Sequence, residues 1–433
     1  MGRWPSFPPQ ACWLCFFLLL AGPALAGAAE YRLVSDTLLR GFETNVGGDE
    51  DLVLPLYQYL QADVGTPGEP PLTFHLYGWG RVELAGSDHF ERTFAGGDDT
   101  AGELLYGYLE YVSPEVPLTA RLGRQYVFEG VARESIDGLR LDAGLSPWFS
   151  LCAYGGWPVG LDATDGRSGD SIYGGRFTHH RRGLYEVGLS YKNVDNDSRQ
   201  AEELLGLDFS LLLPAGISFF GYSTYNLESS GWAEDYYELR LAFDRLQLRP
   251  FFQRFDYDDY FATGANTGRP FRFLAGTGET VNVFGTDLLW LQSEVWEWGL
   301  KAKHYDYDER DNTAQFLSAL LTWSAEEGRS QAGGELGWMN GDSAENEYLL
   351  SRLFVYWDLP QTPLLDFATA DLVYVWYDET IHGDDDSFFL TLGGGTRLLQ
   401  DRLELKVAAD YSSDPYFDDD LRGWLLATYV FSR

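Results

Sequence analysis

The sequence predicts an all-β protein, an antiparallel up-and-down transmembrane β-barrel of about 22 strands, with a range of about 18 to 22. Three observations predict it: polarity alternates with a period of two, connection lengths alternate between short and long, and aromatic residues gather near strand ends. The composition agrees, because 27 Tyr, 14 Trp and 48 Gly against 2 Met and 3 Cys are typical of strands joined by polar turns.

The charge balance excludes a general nucleic-acid binder. The 433 residues include 31 Lys and Arg against 66 Asp and Glu, a formal net charge of −35, whereas phosphate binding needs clustered cations. Aromatic content of 16% and hydrophobic content of 45% also exclude a disordered chain.

Residues 1–26 are predicted to be a secretory signal peptide. Arg3 precedes an apolar run, and Ala24-Leu25-Ala26 forms a small-x-small cleavage site, which leaves 27–433 as the barrel. A membrane anchor is the weaker interpretation, because the run is too short to span a bilayer. Cys12 and Cys15 leave with the signal, so Cys152 remains without a disulfide partner or a CxxCH haem motif.

Alternating polarity identifies the strands one by one. In the segment Leu403–Tyr411, odd-numbered apolar residues oppose Glu404, Lys406 and Asp410, and 73–84 repeats the pattern. Such alternation puts one face against an apolar phase and the other against water. The predicted strand centres are residues 39, 58, 78, 108, 122, 139, 152, 175, 188, 208, 222, 238, 251, 286, 301, 319, 335, 353, 372, 391, 407 and 426.

A soluble β-sandwich would also alternate, and two features favour the membrane barrel over it. Membrane barrels have short periplasmic turns and long outer loops. The predicted short links are 113–117, 213–216, 244–245, 292–294 and 400–401, and the predicted long links are 85–102, 156–171, 256–280 and 379–386. Aromatic pairs at strand ends predict interfacial girdles: Tyr57/Tyr59, Tyr108/Tyr111, Trp296/Trp298, Tyr356/Trp357 and Tyr429/Phe431.

The C-terminal segment Leu425-x-Ala427-x-Tyr429-x-Phe431 resembles the last strand of Gram-negative outer-membrane β-barrels, although Ser432-Arg433 follow the aromatic residue. The segments 121–125 and 137–140 resemble strands of porin-like channels. More narrowly, the chain is similar to barrels of Geobacter-type bacteria, some of which sheathe multihaem cytochromes in porin–cytochrome conduits. The resemblance implies an outer-membrane location, with lipid and lipopolysaccharide as surroundings.

The alternation predicts a charged lumen of mixed sign that is slightly cationic. The predicted lumen-lining and selectivity residues are Arg81, Glu83, Arg121, Arg140, Arg176, Lys192, Glu238, Arg240, Arg249, Lys301, Arg352, Glu404 and Lys406. Glu110, Asp208, Gln253, Glu297, Lys303 and Glu335 share the same predicted face. These charges either form cross-wall pairs that stiffen the barrel or set ion preference, and the two roles are compatible.

The excess acid is predicted to lie in outer loops, at 98–99, 256–259, 306–311, 384–386 and 418–420, whereas the predicted periplasmic turn 179–182 is basic. An acidic rim suits divalent-cation bridges to lipopolysaccharide, or steering of cations toward the mouth. None of the six His residues lies in HExxH or beside GxSxG, so neither an enzyme, a metal site nor a bound cofactor is predicted.

Barrel size bears on function, because 22 strands without a plug domain enclose a wide lumen. The first hypothesis is a porin-like channel for small hydrophilic solutes or ions, with 85–102, 156–171 and 256–280 folding inward as constrictions. The alternative is a sheath around a multihaem c-type cytochrome that would bring the haems. The lumen aromatics fit both hypotheses: Tyr77, Trp79, Tyr106, Tyr108 and Tyr236.

Overall fold

The computed structural model describes residues 30–46, 49–65, 72–85, 100–159, 169–260, 279–308, 312–325, 329–359, 362 and 364–432. The predicted signal peptide lies outside the described residues. The strands β1 to β22 are, in order, Glu30–Val46, Asp49–Val53 with Pro55–Gly65, Leu72–Glu83, Thr100–Val112, Leu118–Glu129, Ala132–Ser146, Phe149–Pro158, Ser171–Arg181, Tyr185–Asn196, Arg199–Leu213, Ile217–Asn226, Gly231–Phe243, Leu246–Asp256, Thr280–Leu291, Trp296–Tyr307, Asn312–Ser324, Gln331–Asn340, Tyr348–Asp358, Phe367–Ile381, Asp384–Leu398, Leu403–Asp414 and Phe417–Ser432.

The strands form one closed antiparallel sheet. Each strand pairs with the next, and β1 pairs with β22 from Arg32↔Ser432 to Phe42↔Arg422. The two segments of β2 both pair with β1, so they form one strand interrupted at Leu54. Every predicted strand centre lies inside an observed strand, and the prediction of a 22-strand barrel is confirmed.

The two faces of the sheet differ as the alternation predicts. Leu122, Leu189, Leu336 and Leu353 are exposed on one face, as in a band that contacts lipid. The opposite face carries ion pairs between strands that are not neighbours, for example Lys192 of β9 with Glu134 of β6. Such contacts require a concave surface, so this face lines the lumen.

The predicted aromatic girdles are correct only in part. The outer face carries Tyr111, Trp296, Trp298, Trp357 and Tyr429 near strand ends. However, the register places Tyr57, Tyr59, Tyr108 and Tyr356 on the lumen face, beside residues such as Arg81 and Gly123. The prediction was wrong for these four, because an aromatic residue near a strand end does not by itself report which face it occupies.

The barrel has two distinct rims. The terminal rim, where β1 begins and β22 ends, carries the short turns 113–117, 214–216, 244–245, 292–295 and 399–402, as predicted. At the distal rim, strands end before and begin after the segments 86–99, 160–168 and 261–278, which lie outside the described residues. At the same rim α1 (Tyr257–Tyr260) follows β13.

Two predicted links were wrong. Residues 379–386 are not a long loop, because β19 continues to Ile381 and β20 starts at Asp384 after a tight turn. The basic segment 179–182 is not entirely a turn, because β8 continues to Arg181 and places His179 and His180 on opposite faces. In both cases strand pairing extends to the rim and leaves fewer residues for the connection.

The described acidic segments do lie at the distal rim. Asp256, Asp306 and Asp308 lie at or just after the ends of strands that run toward the distal rim. Residues 384–386 and 419–420 lie where β20 and β22 begin. Most of these carboxylates therefore belong to strand ends rather than to loops. Among the described residues, no helix is long and apolar enough to cross a membrane.

Candidate functional site: the lumen and its inward hairpin

The lumen needs an internal constriction. A circular barrel of this strand number with the usual spacing and tilt measures about 44 Å between opposite backbones. An unobstructed opening of that width would not discriminate among small solutes. The predicted constrictions 85–102, 156–171 and 256–280 lie largely outside the described residues, but a different segment narrows the lumen.

That segment is the inward hairpin, residues 125–135 at the distal end of β5 and β6. The pairing between β4 and β5 ends at Gly107↔Arg124, and the pairing between β6 and β7 ends at Ile136↔Pro158. Beyond those points β5 and β6 pair only with each other, up to Glu129↔Ala132. The hairpin thus leaves the wall on both sides.

The inward hairpin folds over the lumen face of β7 to β10 and reaches β11 and β12 only through Arg133. Its Val127 and Ala132, with the adjoining Ile136 of β6, are buried in one apolar cluster with Cys152, Tyr154, Ile172, Val194 and Ala201 of the wall. The amide of Val131 at the tip donates to Ser190 Oγ at 3.1 Å. An apolar interface and a polar anchor therefore hold the same segment against the wall.

Lys192 is the main ionic anchor of the inward hairpin. Its side chain is only 3% exposed, and Nζ lies 2.7 Å from Glu134 of the hairpin and 2.8 Å from Glu202 of β10. Arg133 extends the attachment further, with Nη1 3.5 Å from Glu234 and the guanidinium 5.4 Å from the centre of the Tyr222 ring. The hairpin is clamped to three wall strands by charge.

Tyr260 of α1 lies beside this clamp. Burial raises the pKa of the Tyr260 phenol, and the Glu234 carboxylate raises it further, while Arg133 opposes them. The phenol therefore stays neutral at physiological pH and adds no charge to the mouth of the lumen.

A network of charges lies beneath the hairpin. Arg140 Nη2 donates to Glu129 at 2.6 Å and its Nε donates to Asp142, while Arg176 Nη2 lies 2.7 Å from Glu186 and also pairs with Asp208. Glu129, Asp142 and Cys152 bring three potential metal ligands within 4.8 Å of one another. Both carboxylates pair with Arg140, and Glu129 also lies 3.7 Å from Arg176, so the described contacts of this group are those of an ion-pair cluster.

The opposite wall, β12 to β21, faces the open lumen with a different arrangement. Here each ion pair has its cation outermost. Lys301 is 45% exposed over Glu335 at 12%, and Arg240 is 41% exposed over Glu238 at 8%. The same order holds for the pairs Arg249–Asp287, Arg352–Asp371, Arg397–Glu404 and Lys406–Glu404. A solute in the lumen therefore meets the cations first.

The register places every predicted lumen residue on the concave face, but it divides them among three settings. Arg140, Arg176 and Lys192 lie beneath the inward hairpin, and Arg240, Arg249, Lys301, Arg352, Glu404 and Lys406 lie on the open wall with Glu238 beneath Arg240. Arg121 pairs with Glu110 at 2.7 Å beside the aromatic wall of β2 to β4, where Arg81 also lies. Glu83 is buried and accepts the amides of Leu54 and Ala85, so it fixes the interruption in β2.

Sequence reasoning missed the residues that attach the hairpin, namely Arg133, Glu134, Glu202 and Glu234. A signal was present, because Tyr126, Val127 and Phe128 place apolar residues on both faces of β5. A strand between lipid and water has one polar face, so two apolar faces indicate that the strand has left that boundary.

The outer face of the sheet indicates the membrane in which the barrel lies. A closed sheet leaves no unpaired edge in the bilayer, and an apolar band with aromatic residues near its borders is the surface that spans an outer membrane. The chain is an outer-membrane β-barrel.

No family model matches the chain, and no curated protein matches its sequence. Solved porin structures resemble its shape. A BenF-like porin from Pseudomonas fluorescens Pf-5 has a TM-score of 0.49 at 11% identity, covering 94% of this chain and 99% of that one. OccAB2 from Acinetobacter baumannii has a TM-score of 0.48 at 10% identity (93% and 98% covered), and OpdK from Pseudomonas aeruginosa 0.47 at 11% (94% and 99%). At these values the likeness carries no conclusion about function.

Proposed function

We propose that this barrel is a porin-like channel that lets small hydrophilic solutes cross the outer membrane and that prefers anions among ions. The observation that carries the proposal is the order of exposure on the open wall, where cations cover the carboxylates with which they pair. Because a low-dielectric wall focuses the field of its outermost charges, these cations attract anions and repel cations in the lumen.

The inward hairpin supports a selective channel. It occupies lumen space opposite the open wall and is fixed by buried ion pairs, so it narrows the passage without a separate plug. A solute would pass between the hairpin and the cationic wall. Size exclusion then comes from the hairpin, and charge preference comes from the wall.

The sheath around a multihaem cytochrome is the less favoured function. A guest protein would need the space that the inward hairpin occupies, and moving the hairpin would break the buried Lys192 contacts. Haem absorbance that co-purifies with the barrel from its native membrane would nevertheless favour the sheath.

Ion-current measurements test the channel. The purified barrel in a planar bilayer should open steady channels, and a KCl gradient should give a reversal potential of the sign for chloride preference. Replacing Arg249, Lys301 and Arg352 with Gln should shift that potential toward potassium preference. The control is Arg182→Gln at the terminal rim, which should leave the potential unchanged.

Two results would contradict the proposal. A folded barrel that opens no channels would remove the channel function. Channels whose reversal potential is the same in the triple variant and in the native barrel would remove the role assigned to the open wall.

A further inference from the structure

The wall of β2 to β4 carries a continuous strip of rings on its lumen face, here called the aromatic ladder. Adjacent members lie 4.8 to 6.4 Å apart between ring centres. In order of ring contact, the ladder consists of Trp79, Tyr57, Tyr59, Tyr77, Tyr106, Tyr108 and His75, with Tyr57 and Trp79 at its distal end and Tyr108 and His75 at its terminal end.

The ladder runs along the pore rather than around it. From Trp79 to His75 the chain advances four residues along β3, which is about 10 Å along the axis of a tilted strand. Tyr106 and Tyr108 flank Gly107, the last residue of β4 toward the distal rim that pairs with β5 before the inward hairpin departs. The ladder thus passes the level at which the lumen begins to narrow.

The phenolic hydroxyls of the ladder differ from those of the lumen rings on β11 and β12. Tyr222 and Tyr236 donate to Glu234 and Glu238 of the wall. Across the described ranges, no hydrogen bond joins a hydroxyl of the five ladder tyrosines to another residue. As far as the described residues go, these hydroxyls therefore keep their hydrogen-bonding capacity for a passing solute.

Polar groups border the ladder at its terminal end. Asp63 lies 2.7 Å from His75 Nδ1, with Gln61 beside it. Glu110 and Arg121 pair at 2.7 Å, and the Arg121 guanidinium lies 5.7 Å from the centre of the Tyr108 ring. The strip thus combines apolar ring faces with carboxylate, amide and guanidinium groups at its edge.

We propose that the aromatic ladder binds the pyranose rings of neutral sugars and guides them through the lumen, an inference that rests on the channel function above. A pyranose ring has an apolar C–H face and a rim of hydroxyls, so it packs on an aromatic face while its hydroxyls bond polar groups at the edge. The ladder length matches a disaccharide. Asp63 and Glu110 accept hydroxyl hydrogens but repel anions, which favours a neutral sugar over an aromatic carboxylate.

Current block by maltose tests the ladder. Maltose added to open channels should reduce the current reversibly and with saturation. Sorbitol has similar hydroxyls but no ring. It should lower the current only by the fraction by which it lowers the conductivity of the bulk solution. Benzoate serves as the aromatic anion for comparison.

Variants on the two walls locate the site. Tyr77→Leu and Tyr106→Leu should each raise the maltose concentration that gives half-maximal block about tenfold, which is the effect of one lost ring contact. Tyr77→Phe, which keeps the ring, should retain most of the block. Tyr236→Leu on β12 of the open wall is the matched control, and maltose should block this variant as it blocks the native channel. Open-channel current shows that each variant is folded.

Maltose titrated calorimetrically into the detergent-solubilised barrel separates the two proposals. Binding that the ladder variants weaken, without channel activity, would uphold the ladder and contradict the channel. Channels that open but show equal effects of maltose and sorbitol, with no calorimetric binding, would overturn the ladder alone. Block by benzoate but not by maltose, or block unchanged in Tyr77→Leu and Tyr106→Leu, would also overturn it.

Discussion

Gly130 at the tip of the inward hairpin shows how one residue positions the constriction. Its φ of +57° lies in the left-handed region, and a Cβ added there would overlap Ser190 on β9. Gly130→Ala should therefore lift the tip from the wall. We expect a loss of unfolding free energy above the 1 to 2 kcal/mol or so of the backbone penalty alone, together with a larger single-channel conductance.

Gly183 in the turn after β8 is the matched control for that prediction. Its φ of +73° carries a similar backbone penalty, but an added Cβ meets nothing within 4 Å. Urea unfolding in phospholipid vesicles should show a smaller destabilisation for Gly183→Ala than for Gly130→Ala. Single-channel recording should show native conductance for Gly183→Ala. Equal behaviour of the two variants would mean that contact with Ser190 does not hold the tip.

Side-chain orientation was the part of the site that the sequence predicted well. Alternation is a local property, so Arg249, Lys301 and Arg352 could be assigned to the lumen from their strands alone. Exposure could not be assigned, because it depends on pairing with Asp287, Glu335 and Asp371 on other strands. That Lys192 is buried could not be predicted either, because the hairpin that covers it lies 58 residues away along the chain at Glu134.

The inward hairpin as an element depends on Lys192. Lys192→Met would leave the partly exposed carboxylates of Glu134 (35%) and Glu202 (27%) facing each other without their shared buried cation. Breaking a fully buried ion pair costs about 3 to 5 kcal/mol, and solvent at the two carboxylates lowers the cost here below that range. We expect the hairpin to detach, which should raise single-channel conductance and its fluctuations and lower stability toward urea.

Lys406→Met provides the comparison for an exposed pair. Lys406 Nζ lies 2.7 Å from Glu404, but the side chain is half-exposed and Glu404 keeps Arg397 as a second partner. Such a pair is worth about 0 to 1 kcal/mol, so the substitution should change stability little and leave the current steady. If Lys192→Met resembled Lys406→Met in both measurements, Lys192 would not be the anchor.

Strand positions could be predicted because they depend on the residues of each strand itself. The direction of the inward hairpin could not, because it depends on residues that are distant in the chain. Each strand lies between lipid and water, so its own residues alternate in polarity, and this alternation predicted the position of every strand. In the sequence, the tip of the inward hairpin has the pattern of an ordinary turn after β5, because Gly130 and Val131 are compatible with any tight connection. Its direction is set by contacts with β9 to β12, which no window of the sequence contains.

At the scale of the whole molecule, the lumen has three walls of different character. The wall of β5 to β10 has its cations Arg140, Arg176 and Lys192 covered, the wall of β12 to β21 has cations outermost, and the wall of β2 to β4 is aromatic. A net charge of −35 therefore does not describe what a solute meets, because much of the acid lies at the distal rim. The arrangement of charge, rather than its sum, sets ion preference.

This arrangement predicts that anion preference depends on salt. The field of the exposed cations reaches about 10 Å into the lumen at 0.1 M salt but only about 3 Å at 1 M. Reversal potentials measured at a constant KCl ratio should therefore indicate strong chloride preference at low concentration and weak preference near 1 M. The barrel with Arg249, Lys301 and Arg352 replaced by Gln should lose the chloride preference at low concentration, so its reversal potential should differ most from the native value at low salt and approach it near 1 M. Preference that persisted undiminished at 1 M would instead indicate direct contact of chloride with a site at the constriction, and would contradict selection by the field of the open wall.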